Sequence, residues 1–290
     1  TLDVAVVADL AKSEGAEVFE TRAIPVPVTL SDRRTVHKLL VKTADPETLS
    51  AKLRDLSDRH EVDIALQARA ARCQSYQLAV FDMDSTLIGC EVIDELAAAA
   101  GVGEAVADIT AQAMRGEIDF DESYRTRLAL LEGLDAAAID ALADRLPVNE
   151  GLREMVTTLK ARGITLAIFS GGFLPIARRL QADYGFDEVV ANVLEVEHGK
   201  VTGRVVPPVV NGEYKAESLR NLAHRLGVGL EACIAVGDGA NDLSMMAAAG
   251  LGVAFHAKPA VRAASPIEVT HCGLDGVCYL LGSEGEFADR

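Results

Sequence analysis

The sequence predicts an α/β protein: a parallel sheet flanked by helices, a helical cap inserted early in it, and a small α+β unit in front. Three observations carry that prediction. Short apolar runs at 78–81, 166–169 and 233–236 alternate with helix-length amphipathic stretches, the pattern of a parallel sheet. Between the first two runs lies a stretch from about 90 to 146 with helical spacing throughout, too long for an ordinary loop. Residues 1 to about 70 carry a separate helix and strand pattern, joined to the rest through 68–74.

The elements follow in chain order. In the N-terminal unit, residues 4–11 have helical spacing, 16–24 read as a strand ending at Pro25 and Pro27, and 35–42 as a second strand. Residues 46–59 form an amphipathic helix with Asp45 as its cap, and 62–66 are expected to be a last strand. The run 78–81, apolar at every position, suits a strand buried on both faces. The inserted stretch predicts helices around 92–100, 105–115, 120–131 and 136–145. Beyond it come a helix at 149–162, the strand 166–169, a helix at 174–184, and a β-rich pair at 189–196 and 201–206 joined by a turn at 198–200. A helix at 216–226, the strand 233–236, a helix through Met246, and strands at 252–255 and 269–271 complete the core. Residues 282–290 read as a frayed tail. The domain boundaries are therefore expected at 1–72 for the N-terminal unit, 73–88 with 147–290 for the core, and 89–146 for the cap.

Composition narrows the function. Of 290 residues, 49% are hydrophobic and 25% charged, enough apolar material for a core. A formal net charge of -16 disfavours a general nucleic-acid or anionic-membrane binder, since both reward basic surfaces, so no such partner is expected. No apolar run approaches the roughly 18–20 residues of a membrane span, and the N-terminus lacks the pattern of a secretory signal. Five scattered cysteines without a Cys-x-x-Cys pair read as reduced thiols, and a cytoplasmic location is expected.

Chemistry concentrates where strands end. The first run meets Asp82-Met-Asp84-Ser85-Thr86, the second Ser170-Gly171-Gly172, and the third Gly237-Asp238-Gly-Ala-Asn241-Asp242. In a parallel sheet these ends open on one edge, where ligands bind. Lys215 stands at the start of a helix between the second and third. Carboxylates from two strand ends offer the hard oxygen ligands Mg2+ prefers. A serine hydroxyl, glycine amides at a helix N-terminus and an ammonium are what a phosphoryl group needs. The set points to phosphoryl transfer.

These four motifs, in order and at this spacing, resemble those of the haloacid dehalogenase superfamily over roughly residues 76–282. Within it the likeness is greatest to the phosphoserine phosphatases, through Glu91 nine residues after Asp82 and Met114-Arg115-Gly116, Phe120, Ser123 and Arg127 in the cap. The resemblance implies a Rossmann-like core with a C1-type cap. It implies hydrolysis of O-phospho-L-serine with Asp82 as nucleophile and Asp84 as acid and base. Mg2+ would be held by the Asp82 and Asp238 side chains and the Asp84 carbonyl, with Asp242 ligating through water or orienting Lys215. Ser170, the Gly171 amide, Lys215 and Asn241 would bind phosphate. Glu91 would take the substrate ammonium and Arg127 its carboxylate, while Met114 and Phe120 would seal the pocket. The N-terminal unit is similar to an ACT-like regulatory domain without its first strand, the chain having no initiator Met, and a homodimer through this unit is compatible with that likeness.

Two alternatives stay open on sequence alone. One is a relative acting on phosphothreonine or phosphohomoserine, or transferring the phosphoryl group to an alcohol. The other is a non-catalytic amino-acid-sensing regulator, which would be expected to have lost an acid that this chain retains. Ser85 and Thr86 read as turn caps, Lys258 as structural, and His37, His60, His198, His224, His256 and His271 as structural or exposed.

Overall fold

The computed structural model describes residues 2–115 and 117–282, with only the backbone described at Met114 and Phe120. The tail expected at 282–290 lies, but for Gly282, outside the described residues. The N-terminal unit holds α1 (Val4–Ser13), β1 (Glu17–Ile24), β2 (Val36–Lys42) and α2 (Pro46–His60), followed by a single helical turn, α3 (Arg69–Arg72). The core opens with β3 (Leu78–Phe81). The cap is α4 (Val92–Ala100), α5 (Gly103–Met114), α6 (Phe120–Ala129) and α7 (Ala137–Ala143). The core resumes with α8 (Leu152–Ala161), β4 (Thr165–Phe173), α9 (Leu174–Tyr184), β5 (Glu188–Glu197) and β6 (Lys200–Val206). It closes with α10 (Gly212–Leu226), β7 (Cys233–Gly237), α11 (Leu243–Ala248), β8 (Leu251–Phe255), α12 (Pro259–Ala264), β9 (Glu268–Val269) and α13 (Gly276–Tyr279).

The large sheet runs β6-β5-β4-β3-β7-β8-β9, parallel except for β6. Its centre is β3, wholly buried. Ala79 and Phe81 enter the apolar core on one face and Leu78 and Val80 the core on the other, as the period of two requires. Successive crossovers place β4 on one side of β3 and β7 on the other, so a crevice opens at their carboxyl ends. Helix starts follow local capping. The Asp45 carboxylate accepts from Thr48 N and Pro46 fills the first turn of α2; Asp119 accepts from Glu122 N for α6, and Asn211 from Tyr214 N for α10. No helix among the described residues is long and apolar enough to cross a membrane.

Two expected strands differ. Residues 62–66 form no strand, so the small sheet has two strands only. Ile64 and Leu66 do pack on the unit's own core of Ala11, Ala16, Leu49 and Leu53, which is the apolar signal the sequence carries. Asp63 between them turns instead to the large domain. Its carboxylate accepts from Thr270, His271 and Cys272 N. Those amides are the ones that would have extended β9, which accordingly stops at Val269 rather than His271. The helix expected from Asn149 starts at Leu152, because Asn149 bonds to Thr86 and Leu87, and Gly151 turns the chain at φ 78. A Cβ there would meet Asp275 Oδ1 at 2.5 Å.

Candidate active site

The ends of β3 and β7 bring three acids together. Asp82 leaves β3, Asp238 leaves β7, and Asp242 follows one turn on. Their carboxylates offer oxygens that all lie within 4.8 Å of one another, and all three residues are buried. Lys215, in the first turn of α10 and 0% exposed, places Nζ 2.7 Å from Asp82 Oδ1 and 2.8 Å from Asp242 Oδ1. Asp242 is fixed in turn by Gly239 N, which donates to Oδ2 at 3.0 Å. Asp82 Oδ1 also accepts from Met83 N at 2.8 Å.

Charge is out of balance in this cluster. Burial first, then Asp242, push the Asp82 carboxyl well above its usual range, although Lys215 opposes them. Burial and Asp242 bring Asp238 up to about 7, against Lys258 and the Thr86 hydroxyl. Burial works against the Lys215 ammonium, but Asp242 and Asp82 outweigh it and raise its pKa above the ordinary lysine value. One buried ammonium thus faces three buried carboxylates. Hard oxygen donors in excess of local positive charge fit a divalent cation.

Asp84 stands apart from the cluster. It is half-buried, and its Oδ1 is shielded from solvent with no hydrogen bond, while Oδ2 accepts from Val92 N at 3.4 Å. Burial, then Glu91 and Asp82, push its carboxyl well above the usual range. A carboxyl of that kind holds its proton more tightly than an exposed one, as a group that donates it must.

The β4 end supplies the opposite wall. Ser170 is fully buried and its Oγ accepts from Gly172 N at 2.8 Å, just before α9. Gly172 is where this wall touches the first. A Cβ there would sit 2.7 Å from Met83 Cε, 2.9 Å from Asp84 Oδ2 and 3.0 Å from Ser170 Oγ. Gly171 is held from behind by Asn192, whose Nδ2 donates to Gly171 O and whose Oδ1 accepts from Val210 N, both at 2.8 Å. Asn241 lies beside the cluster, its backbone so close to Gly212 that a Cβ at Gly212 would meet Asn241 O at 2.8 Å.

The cap closes on this edge. Glu91 precedes α4 and its Oε1 accepts from Ser85 Oγ at 2.7 Å, Ser85 itself adopting φ 57. Arg127, half-buried near the end of α6, lowers the carboxyl of Asp94 on α4, although burial and Glu91 raise it on balance. Met114 and Phe120 fall at the end of α5 and the start of α6; the expectation for their side chains lies outside the described residues.

Some site residues escaped sequence reasoning. Thr86 does more than cap the turn: its hydroxyl donates to Asp238 Oδ1 at 3.2 Å, joining two strand ends 152 residues apart. Ser85 likewise reaches Glu91. Lys258, expected to be structural, places Nζ 4.0 Å from Asp238 Oδ2. Asn192 had one available signal, a polar amide within the apolar run 189–196.

Residues 76–250 match the family model for haloacid dehalogenase-like hydrolases. The chain is 44% identical over 258 residues to a phosphoserine phosphatase of Streptomyces coelicolor, covering 88% of this chain and 63% of that protein. It therefore spans less than two thirds of that relative's length. A solved HAD family hydrolase from Salmonella enterica superposes with a TM-score of 0.87 at 31% identity, covering 98% of this chain and 96% of that one. A structure described as a phospho-aspartyl intermediate analogue of phosphoserine phosphatase superposes with a TM-score of 0.68 at 39% identity, over 72% of this chain and all of that one (100%).

Proposed function

The chain belongs to the haloacid dehalogenase-like hydrolases, and from that premise we propose that it hydrolyses O-phospho-L-serine to serine and inorganic phosphate through an aspartyl-phosphate. The observation that carries this reading is the pairing of two carboxylates, two residues apart, with different partners. Burial raises the pKa of both, but Asp82 is bonded to the Lys215 ammonium, whereas Asp84 lies outside that bond with one oxygen unbonded and acidic neighbours around it.

Asp82 supplies the nucleophile. One of its oxygens forms a bond to phosphorus while the bond from phosphorus to the serine oxygen breaks. Asp84 gives its proton to that leaving oxygen, so serine departs neutral at its hydroxyl. Asp84, now ionised, takes a proton from water, and the resulting hydroxide attacks phosphorus. The Asp82 carboxylate leaves and phosphate is released. Ser170 Oγ, the Gly171 amide and Lys215 bind the phosphoryl oxygens and meet the charge that grows on them. Asn241 supports the phosphate side of the site.

Asp82 and Asp238 would hold Mg2+, joined by the Asp84 carbonyl and supported by Asp242. The cation supplies charge neutralisation between carboxylate and phosphate. Specificity is assigned to the cap: Glu91 receives the ammonium of the substrate, Arg127 its carboxylate as a fork, and Met114 and Phe120 exclude water. We read the N-terminal unit, two strands with two helices, as ACT-like, and the protein as cytoplasmic and capable of pairing through that unit.

The test is phosphate release, with and without Mg2+, from phosphoserine, phosphothreonine, phosphohomoserine, a sugar phosphate and p-nitrophenyl phosphate. Metal-dependent turnover dominated by phosphoserine is expected. Another favoured substrate would keep the chemistry and discard the substrate, and no turnover on any of them would discard both.

A further inference from the structure

Two grips tie the N-terminal unit to the strand ends that carry the reacting groups. The first is Asp63, in the segment between α2 and α3. Thr270 N donates to its Oδ1 and Cys272 N to its Oδ2, each at 2.6 Å, and His271 N reaches both oxygens at 3.2 and 3.1 Å. A carboxylate accepting from three consecutive amides fixes that loop, since charge-assisted bonds are roughly twice as strong as neutral ones. The Cys272 carbonyl in turn accepts from His256 Nε2 at 2.8 Å. The His256 ring stacks on Phe255 with centroids 4.1 Å apart, at a backbone φ of 44. Two residues on, Lys258 N donates to Asp238 O at 3.3 Å, and its ammonium faces the Asp238 carboxylate.

The second grip is Arg34, after the β1 strand. Its Nε lies 3.3 Å from Oδ2 of the buried Asp275 and its Nη2 3.0 Å from Glu150 Oε2, while Arg33 Nη1 is 2.7 Å from Glu150 Oε1. The adjacent residue, Asn149, donates from Nδ2 to Thr86 O at 2.8 Å and from its backbone to Leu87 O at 3.0 Å. Thr86 then donates to Asp238 Oδ1. Both grips therefore end on Asp238, one through its backbone and Lys258, the other through Thr86 on the loop that also carries Asp82 and Asp84.

We propose that Asp63 and Arg34 are positioning residues for the reaction: the N-terminal unit holds the 82–89 and 256–258 loops in register, and is part of the catalytic scaffold as well as any regulatory module. This rests on the reading of Asp82, Asp84 and Asp238 as the reacting and metal-holding groups. The coupling path is contiguous, its links being hydrogen bonds and ion pairs joined by one- and two-residue steps of backbone at 149–150 and 256–258, the kind of network that carries energy between sites.

The test uses the whole chain carrying Asp63→Asn, which keeps shape but turns an amide donor toward the 270–272 amides. With p-nitrophenyl phosphate, kcat is expected to fall roughly tenfold, as small misplacements of reacting groups do, while KM stays within about twofold. Amide hydrogen exchange is expected to rise at 82–89 and 236–242 as well as at 270–272. Unchanged kcat per folded molecule, with exchange confined to 62–64 and 270–272, overturns the proposal. Should Asp63→Asn fail to fold, Glu150→Gln at an exposed position reads the second grip by the same two measurements and the same criteria. If the wild-type chain turns over no phosphomonoester, the reading of the reaction fails, but the spread of exchange still decides the coupling.

Discussion

The Lys215 ammonium lies 2.7 Å from Asp82 Oδ1, with 0% and 7% of the two side chains exposed. A buried cation so close to the proposed nucleophile opposes the rise that burial and Asp242 impose on that carboxyl and aims one oxygen, while Asp242 anchors the cation from the far side. Lys215→Met removes the positive charge and leaves two acids facing each other. We expect kcat to fall by about 10²–10³, the usual cost of losing one preorganised donor to the transition state. Without metal, stability should fall by about 3–5 kcal/mol, the cost of leaving buried charge uncompensated. Steady-state kinetics and urea unfolding measure the two. A kcat within a few-fold of wild type would remove Lys215 from the reaction.

In the proposed mechanism Asp84 serves both chemical steps. As the acid it matters most when the leaving group is poor, and as the base it matters for the second step with any substrate. Asp84→Asn should therefore abolish turnover of phosphoserine. With p-nitrophenyl phosphate, whose leaving group departs without a proton, it should give a burst of about one p-nitrophenolate per site followed by slow release. Stopped-flow absorbance reads this directly. Linear release without a burst, at an undiminished rate, would show that Asp84 does not serve the second step, and undiminished turnover of phosphoserine would remove it from the first.

The acidic cluster links metal, pH and stability. Asp238 is raised from 3.8 to about 7 by burial and Asp242, so the folded state binds its proton more tightly than the unfolded chain. The stability this group contributes is complete below about pH 4 and is lost as pH rises through about 7. Asp82 and Asp84 shift in the same direction. The proposed divalent cation would bind the ionised acids, so the gain in Tm from Mg2+ should be small at pH 5.5 and large at pH 8. Thermal melts with Mg2+ or a chelator at both pH values test this. A gain independent of pH would place the cation elsewhere.

The sheet and the main site were readable because their signals are local. The all-apolar run ending in Asp82 and Asp84 says both "buried strand" and "charged strand end"; Asp238 repeats that sentence, and Ser170 closes its own apolar run with a hydroxyl. Asn211 and Asp119 announce helix starts in the same way. What escaped was settled by partners distant in sequence. Ile64 and Leu66 look like a strand, yet Asp63 spends its carboxylate on amides more than 200 residues away. Thr86 looks like a turn cap and reaches Asp238 instead. Asn192 pins Gly171 from the neighbouring strand, a contact that depends on the register of β4 with β5.

Arg127 lies half-buried on α6, its Nε near Ser123 O at 3.4 Å, on the side of the cap that also brings Asp94 and Glu91 to the cleft. A guanidinium in this place should serve a carboxylate. Arg127→Ala is expected to raise KM for phosphoserine about 10- to 100-fold, the worth of one charged hydrogen-bonded contact. KM for p-nitrophenyl phosphate, which has no carboxylate, should change by less than about threefold. Equal effects on the two substrates would assign Arg127 to the structure of the cap.

Gly172 offers a test that leaves every charged group in place. A methyl at this position would press on Met83 Cε at 2.7 Å, Asp84 Oδ2 at 2.9 Å and Ser170 Oγ at 3.0 Å. Met83 can move its terminal methyl, but the two oxygens are the proposed acid and a proposed phosphate ligand, so relief comes at the reacting geometry. Gly172→Ala should cost about 1–3 kcal/mol of stability, as overpacking does, and lower kcat by about 10²-fold through displacement of Asp84 or Ser170. The substitution removes no donor, acceptor or charge, so a large kcat effect would report distance alone. Unfolding curves and kinetics on both phosphoserine and p-nitrophenyl phosphate separate the causes. A greater loss on phosphoserine, or a burst on p-nitrophenyl phosphate, points to Asp84 as the displaced group, because the poor leaving group needs its proton and the second step needs its base. Equal losses without a burst point to Ser170. Wild-type kcat would mean that the contact between the two walls is not the one used in the reaction.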